Sequence, residues 1–187
     1  TSRCLAMLFQ CFSDWALVSA EARRLGLPGK SHYFQRVAQI DQLPDSVKTG
    51  LSQGRLSLHT AMELKEFGSN CADQLASLFG KLKINQNKQK EICTHLKEIA
   101  IRDNLNIQSL LDDLGFFDVL ADTSLNNQQK TNIIRSELRK RRFPKLYQSQ
   151  KRYEQALKRL NLSNHIKIQP PDYFEDTSFS LKVIFKN

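Results

Sequence analysis

A chain of 187 residues, 40% hydrophobic, with a net charge of +9, can bury one sizeable core or two small ones and is too apolar to be disordered. No 18 apolar residues run together, and the apolar opening CLAMLFQCF is short and lacks a basic leader, which argues against a membrane span or secretory signal and for the cytoplasm. The four cysteines, Cys4, Cys11, Cys71 and Cys93, have neither the paired spacing of a zinc ribbon nor the density of a secreted disulfide framework, so reduced, packed thiols are expected.

Helical periodicity dominates. Leu5, Leu8, Phe9 and Phe12 share one face of a first helix, already under way at Thr1, which suggests a piece of a longer protein. WALVSAEARRLG predicts a second helix stopped by Gly26, with Pro28 forbidding continuation. Ser31 is placed to cap a third, His32 to Gln42, with Phe34, Val37 and Ala38 on its apolar side and His32, Gln35, Arg36 and Gln39 largely on the other. Pro44 falls in the first turn of the next, closed by Gly54, and Ser57 is a cap for LHTAMELKEF.

Further helices are predicted over about 69 to 81, from an Asn85 cap through Ile92, Leu96 and Ile99, and from Asn106 onward. The polar cluster DTSLNNQ, near 122 to 128, marks a boundary between domains 1–122 and 123–187. Beyond it two helices are expected, about 125 to 142 and 147 to 161, broken at Phe143-Pro144. Tyr153, Ala156, Leu157 and Leu160 form the inward face of the second. Only the last residues change character: IKIQ and SFSLKVIF read as two strands, and an isolated hairpin is marginal, so it must pack on a helix or pair with another chain. The fold class is mainly α, a helical bundle containing a helix-turn-helix, with a small C-terminal β-hairpin.

Charge is unevenly placed. Between Lys130 and Leu160 stand eleven Lys or Arg against two acids, while the remaining residues balance. A merely solvated surface mixes signs, so this concentration reads as a footprint for polyanions.

A helix-turn-helix needs a small residue where its helices touch, a tight turn, and polar side chains on the second helix. Ala22, the stretch from Gly26 to Lys30, and His32 to Gln42 supply these. The following residues, Leu43, Pro44, Val47, Gly54, Arg55, Leu56 and Ser57, then stand in the order and at the spacing of the G-[RK]-L-S region of ParB-type partition proteins, and residues 5 to 67 resemble that family's helical DNA-binding domain. The resemblance implies a DNA-binding portion of a chromosome or plasmid partition protein, associated with the nucleoid, reading duplex DNA as a homodimer and meeting a partition ATPase through parts of the protein beyond this chain. The family's CTP-binding module has no counterpart here, and no cofactor is expected. The chain departs from the family where Leu27-Pro28-Gly29 lengthens the turn and where Leu58, His59, Thr60, Ala61 and Met62 lack an arginine that the family often carries.

Residues and resemblance together single out Lys30, Ser31, His32, Tyr33, Gln35 and Arg36. Gln35 and Arg36 suit base edges; Lys30 and Ser31 suit phosphate at a helix N-terminus. Arg55 and Thr60 are further candidates for phosphate, with His59 open between capping and DNA. Arg135, Arg139, Lys140, Arg141 and Arg142 suit sequence-independent phosphate contact. No catalytic constellation is found: Asp112 and Asp113 are adjacent acids that diverge on a helix, and Cys93 with His95 lacks a second ligand pair. No enzymatic activity is expected. A transcriptional repressor of the same fold, or a helical protein-interaction or RNA-binding module, are the alternative readings.

Overall fold

The structure, a computed structural model, describes residues 14–26, 37 and 39–185. These are mainly helical, with nine α-helices and one two-stranded antiparallel sheet among the described residues. No helix among them is long and apolar enough to cross a membrane. The chain forms two compact units, Thr1–Arg135 and Ser136–Asn187. The division falls inside a helix and so differs from the polar stretch near 122 to 128. That stretch is instead a local turn: Ser124 donates from its amide and hydroxyl to Asp122, and Asn126 and Gln129 exchange amide-to-side-chain hydrogen bonds at the next helix start, the reciprocal pattern of a capping box.

In the first unit, α1 (Trp15–Arg24) starts where the Asp14 carboxylate accepts from the Ala16 amide and ends at Gly26, whose φ of +74° suits glycine. Ala22 on this helix is fully buried. Val37 is helical and buried, but Gln39–Gln42 is a 3-10 turn rather than the end of an α-helix. The cause is Pro44: it pushes Leu43 out of the α region, and the preceding turn tightens, with the Leu43 amide on the Ile40 carbonyl.

Pro44 serves as N-cap of α2 (Asp45–Ser52). The helix closes in a Schellman turn: the Gly54 amide donates to Leu51 and the Arg55 amide to Gly50, with Gly54 at φ +66°. That turn drives Leu56 back onto α2, where a Cβ at Gly50 would lie 2.7 Å from Leu56 Cδ1. An alanine there would force the Leu56 side chain to shift. Ser57 then caps α3 (Leu58–Glu66) through the Thr60 amide. Two longer helices follow, α4 (Ser69–Leu82) and α5 (Gln86–Asp103), the second capped by Asn85 as its sequence predicts.

Helices α2 and α3 pack on α4, and α3 on α5; α6 (Ile107–Asp113), capped by Asn106, closes over α4 and α5. Leu64, Leu75, Phe79, Ile92, Leu96 and Leu110 are each at most 1% exposed at this centre. After Gly115, at φ +59°, the short α7 (Phe116–Ala121) buries Phe116.

Helix α8 (Asn127–Arg142) holds its first half in this unit by three polar contacts. The Asn127 amide group donates to the Lys81 carbonyl, Lys130 to the Leu120 carbonyl, and Arg135 to Glu91.

The second unit contains the rest of α8, then α9 (Pro144–Leu160), β1 (Ile166–Gln169) and β2 (Ser180–Val183). Pro144 takes the first position of α9, where its missing amide costs nothing. Along the stripe expected to face inward, Tyr153 and Leu157 are half-buried, whereas Ala156 and Leu160 are exposed, Leu160 at 56%. The Tyr153 ring meets Phe174 edge-on at 5.9 Å and stacks with Phe179 at 6.2 Å. Its hydroxyl donates to the Ile168 carbonyl. The strands pair antiparallel, Ile166 opposite Val183 and Ile168 opposite Leu181, so the expected hairpin is present and packs on α9.

Candidate nucleic-acid interface

The basic segment becomes the end of α8 and the whole of α9. From Ser136 to Leu160 there are nine Lys or Arg and two acids, and none of the nine is buried. Whatever the pairing, seven positive charges remain in excess over this short stretch.

The residues differ in what they touch. Arg135, expected to hold phosphate, turns both Nε and Nη2 onto Oε2 of Glu91, at 3.0 and 2.7 Å, with side chains only 27% and 22% exposed. Its charge is largely spent inside the first unit. Lys140 donates to Glu137 at 2.6 Å, which holds its ammonium above the usual lysine range, and it also lies 5.4 Å from the Tyr147 ring centre. Arg142 stacks 4.8 Å over Phe143. These cation–π contacts fix the headgroups beside two aromatic rings that are themselves about two-fifths exposed. Arg139 is exposed and Arg141 half-buried.

Helix α9 adds residues beyond those expected from the sequence. Lys145, Arg152 and Arg159 recur every seven residues, flanked by Lys151 and Lys158, and all five are exposed. At 1.5 Å per residue each step of seven advances about 10 Å along one face. The half-buried Leu146, Tyr153 and Leu157 take the other face. The seven-residue spacing is a signal the sequence carries, overshadowed there by the denser RKRR run.

The helix-turn-helix residues Lys30, Ser31, His32, Tyr33, Gln35 and Arg36 lie outside the described residues, as do Cys4 and Cys11. In the flanking segments Ala22, Val37 and Leu43 are buried. Arg55 is exposed, its guanidinium lying over Gly80, where an added Cβ would come within 3.2 Å of Nη1. Gln89, itself buried, donates to the Arg55 and Ile84 carbonyls and so anchors that turn to α5.

Thr60 departs from its expected role. Assigned to phosphate on sequence grounds, it is fully buried, and its hydroxyl pairs with Ser57 at 2.9 Å. Three residues beyond the cap, its side chain points back along the helix onto the capping hydroxyl and away from solvent. His59 stays exposed beside Glu63, at 3.6 Å.

Asp112 accepts from Gln108, and no group of three or more metal-ligating side chains gathers among the described residues. Cys71 and Cys93 are buried free thiols, and burial pushes the Cys93 thiol up to about 12, far from the range of a nucleophile. Comparison with protein-family models, with curated proteins and with solved structures gives no match.

Proposed function

We infer that this chain is a duplex-DNA-binding portion of a ParB-like partition protein. It grips the phosphate backbone with the end of α8 and the basic face of α9, and reads sequence with His32, Gln35 and Arg36, the residues that the sequence singles out for that role. The observation that carries the reading is the charge excess of the second unit: nine exposed or half-exposed cations in 25 residues, opposed by two acids. Such density raises the self-repulsion of a folded chain and is relieved by a polyanion, which releases counterions as it binds. In support, the turn of Gly54, Arg55, Leu56 and Ser57 that the partition family shares is here a working structural joint, and Ala22 and Leu43 are buried. On this reading the protein binds as a homodimer to a palindromic site, works at the nucleoid without a cofactor, and meets a partition ATPase through segments beyond this chain. A transcriptional repressor would use the same surface, and identifying the bound sequence distinguishes the two roles.

The test is duplex binding at several salt concentrations. Replacing Arg139 and Arg142 with Ala is expected to weaken binding to all duplexes and to flatten the log–log salt slope by about 0.9 for each phosphate no longer neutralised. Arg36→Ala should cost about 1–3 kcal/mol on the preferred site alone. Unaltered salt slopes in the Arg139 and Arg142 variants, or equal affinity for single-stranded RNA, would overturn the duplex-DNA reading.

A further inference from the structure

Two aromatic rings stand at the surface of the second unit, among its cations. Tyr153 shows how this unit uses an aromatic side chain for packing: it is half-buried, its ring meets Phe174 and Phe179, and its hydroxyl donates to the Ile168 carbonyl. Phe143 and Tyr147 differ. They are 41% and 40% exposed, and each ring is met by a cation, Arg142 at 4.8 Å and Lys140 at 5.4 Å. Phe143 is also the N-cap residue of α9 and makes no side-chain hydrogen bond to the first turn, at a position where Ser, Thr, Asn or Asp is preferred. The helix start does not ask for a phenyl group. Tyr147 follows one turn later, its amide on the Phe143 carbonyl at 3.0 Å.

Phosphate binding alone does not ask for rings either. A duplex turns its phosphates outward and keeps its bases stacked within, and lysines and arginines suffice for that exterior. An exposed aromatic face gains from a nucleic acid whose bases are unpaired, because every base offers a π face whatever its identity. A guanidinium plane serves the same end, and Arg142 lies against one of the two rings. Beyond Tyr147, its stripe of α9 continues through the exposed Lys151 and Lys158, about 6 and 17 Å further along the axis. Between them on that stripe stands Glu154, which accepts from Gln150 at 3.1 Å. Rings followed by cations along one helix are the parts of a stacking platform with a backbone track.

We propose that the joint of α8 and α9 is a binding site for single-stranded DNA, in which Phe143 and Tyr147 stack on unpaired bases while Lys140, Arg142 and Lys151 hold the phosphates beside them. The site rests on the nucleic-acid reading of this surface and deepens it: the cations serve duplex and single strand alike, and the rings favour a strand whose bases are splayed out, without regard to sequence.

The test uses the whole chain with oligothymidine of about 16 residues, the same sequence as a duplex, oligouridine, and an abasic strand with the same phosphates. Phe143→Leu and Tyr147→Leu should each weaken binding to oligothymidine about five- to tenfold and leave duplex affinity and helical circular dichroism unchanged. The abasic strand should bind the wild type no better than oligothymidine binds the double variant. Tyr147→Trp should keep the affinity, and its emission, above the constant background of Trp15, should be quenched by oligothymidine and not by duplex. Leucine variants that bind oligothymidine as the wild type does overturn the site. So do equal losses on duplex and single strand, an abasic strand bound as tightly as oligothymidine, or oligouridine bound more tightly than oligothymidine. Any of these beside intact, salt-dependent duplex binding leaves the duplex reading standing. Salt slopes unaltered in the Arg139 and Arg142 variants strike that reading while the ring variants still decide this site, and a chain that binds neither ligand overturns both.

Discussion

Helices α5 and α9 carry similar apolar stripes, Ile92, Leu96 and Ile99 on one and Leu146, Tyr153 and Leu157 on the other, yet the first stripe is fully buried and the second only half-covered. The difference comes from what surrounds each helix. Helix α5 meets two neighbours, α3 and α6, each bringing leucines of its own. Within its unit α9 meets the short Asp172–Phe174 turn and, through Tyr153, the Phe179 ring and the Ile168 carbonyl. Periodicity tells which side of a helix prefers burial; the area finally removed from water depends on partners that one helix cannot specify.

The largest effect that could undo this contrast is a cavity. Leu96→Ala is expected to cost about 3–5 kcal/mol, because a fully buried side chain leaves both lost transfer energy and an unfilled hole; the half-buried Leu157→Ala should cost well under half of that. Denaturant titration followed by probes in each unit measures both, and equal losses would erase the distinction.

Alkaline titration offers a second contrast. Burial raises the Cys93 thiol from 9.0 to about 12, so between these values the unfolded chain gives up a proton that the folded chain keeps. Stability is then fully present below about pH 9 and falls as pH rises toward 12, by at most about 1.4 kcal/mol per pH unit. The fall belongs to the first unit, and Cys93→Ala should flatten it.

Gly50→Ala probes the turn after α2: forcing a methyl group against Leu56 should cost about 1–3 kcal/mol, read as a shifted unfolding midpoint. Smallest in stability, but most telling, is the pair of arginines on α8. Arg135→Ala should lower the stability of the first unit by about 1 kcal/mol and leave the salt slope of DNA binding unchanged, since its hydrogen bonds go to Glu91. Arg139→Ala, at an exposed position, should flatten that slope.

Much of the element layout was legible because its signals are local. Asn85, Ser57 and Asn106 cap the helices they precede, the break falls at Phe143-Pro144 although α9 begins at Pro144 and not near 147, and the alternation in IKIQ and SLKV gives paired strands. What escaped was set by distance or by competition. Nothing near Arg135 announces Glu91, 44 residues away. Thr60 reads as an ordinary polar helix residue until Ser57 claims its hydroxyl. The α-helical pattern through Gln42 gives way to a 3-10 turn because Pro44 outweighs it. The motif that carries the family resemblance turns out to report architecture: Gly54 supplies a backbone angle, Leu56 a core side chain and Ser57 a cap.

The phenol of Tyr153 has a wider reach than its single hydrogen bond suggests. An unprotected strand border recruits whatever extended chain it encounters, and that is a route to precipitation. By occupying the Ile168 carbonyl, one hydroxyl keeps that border from acting as a template. Tyr153→Phe, which changes almost nothing in shape, should expose that carbonyl and raise turbidity on concentration, read by light scattering against the unaltered chain.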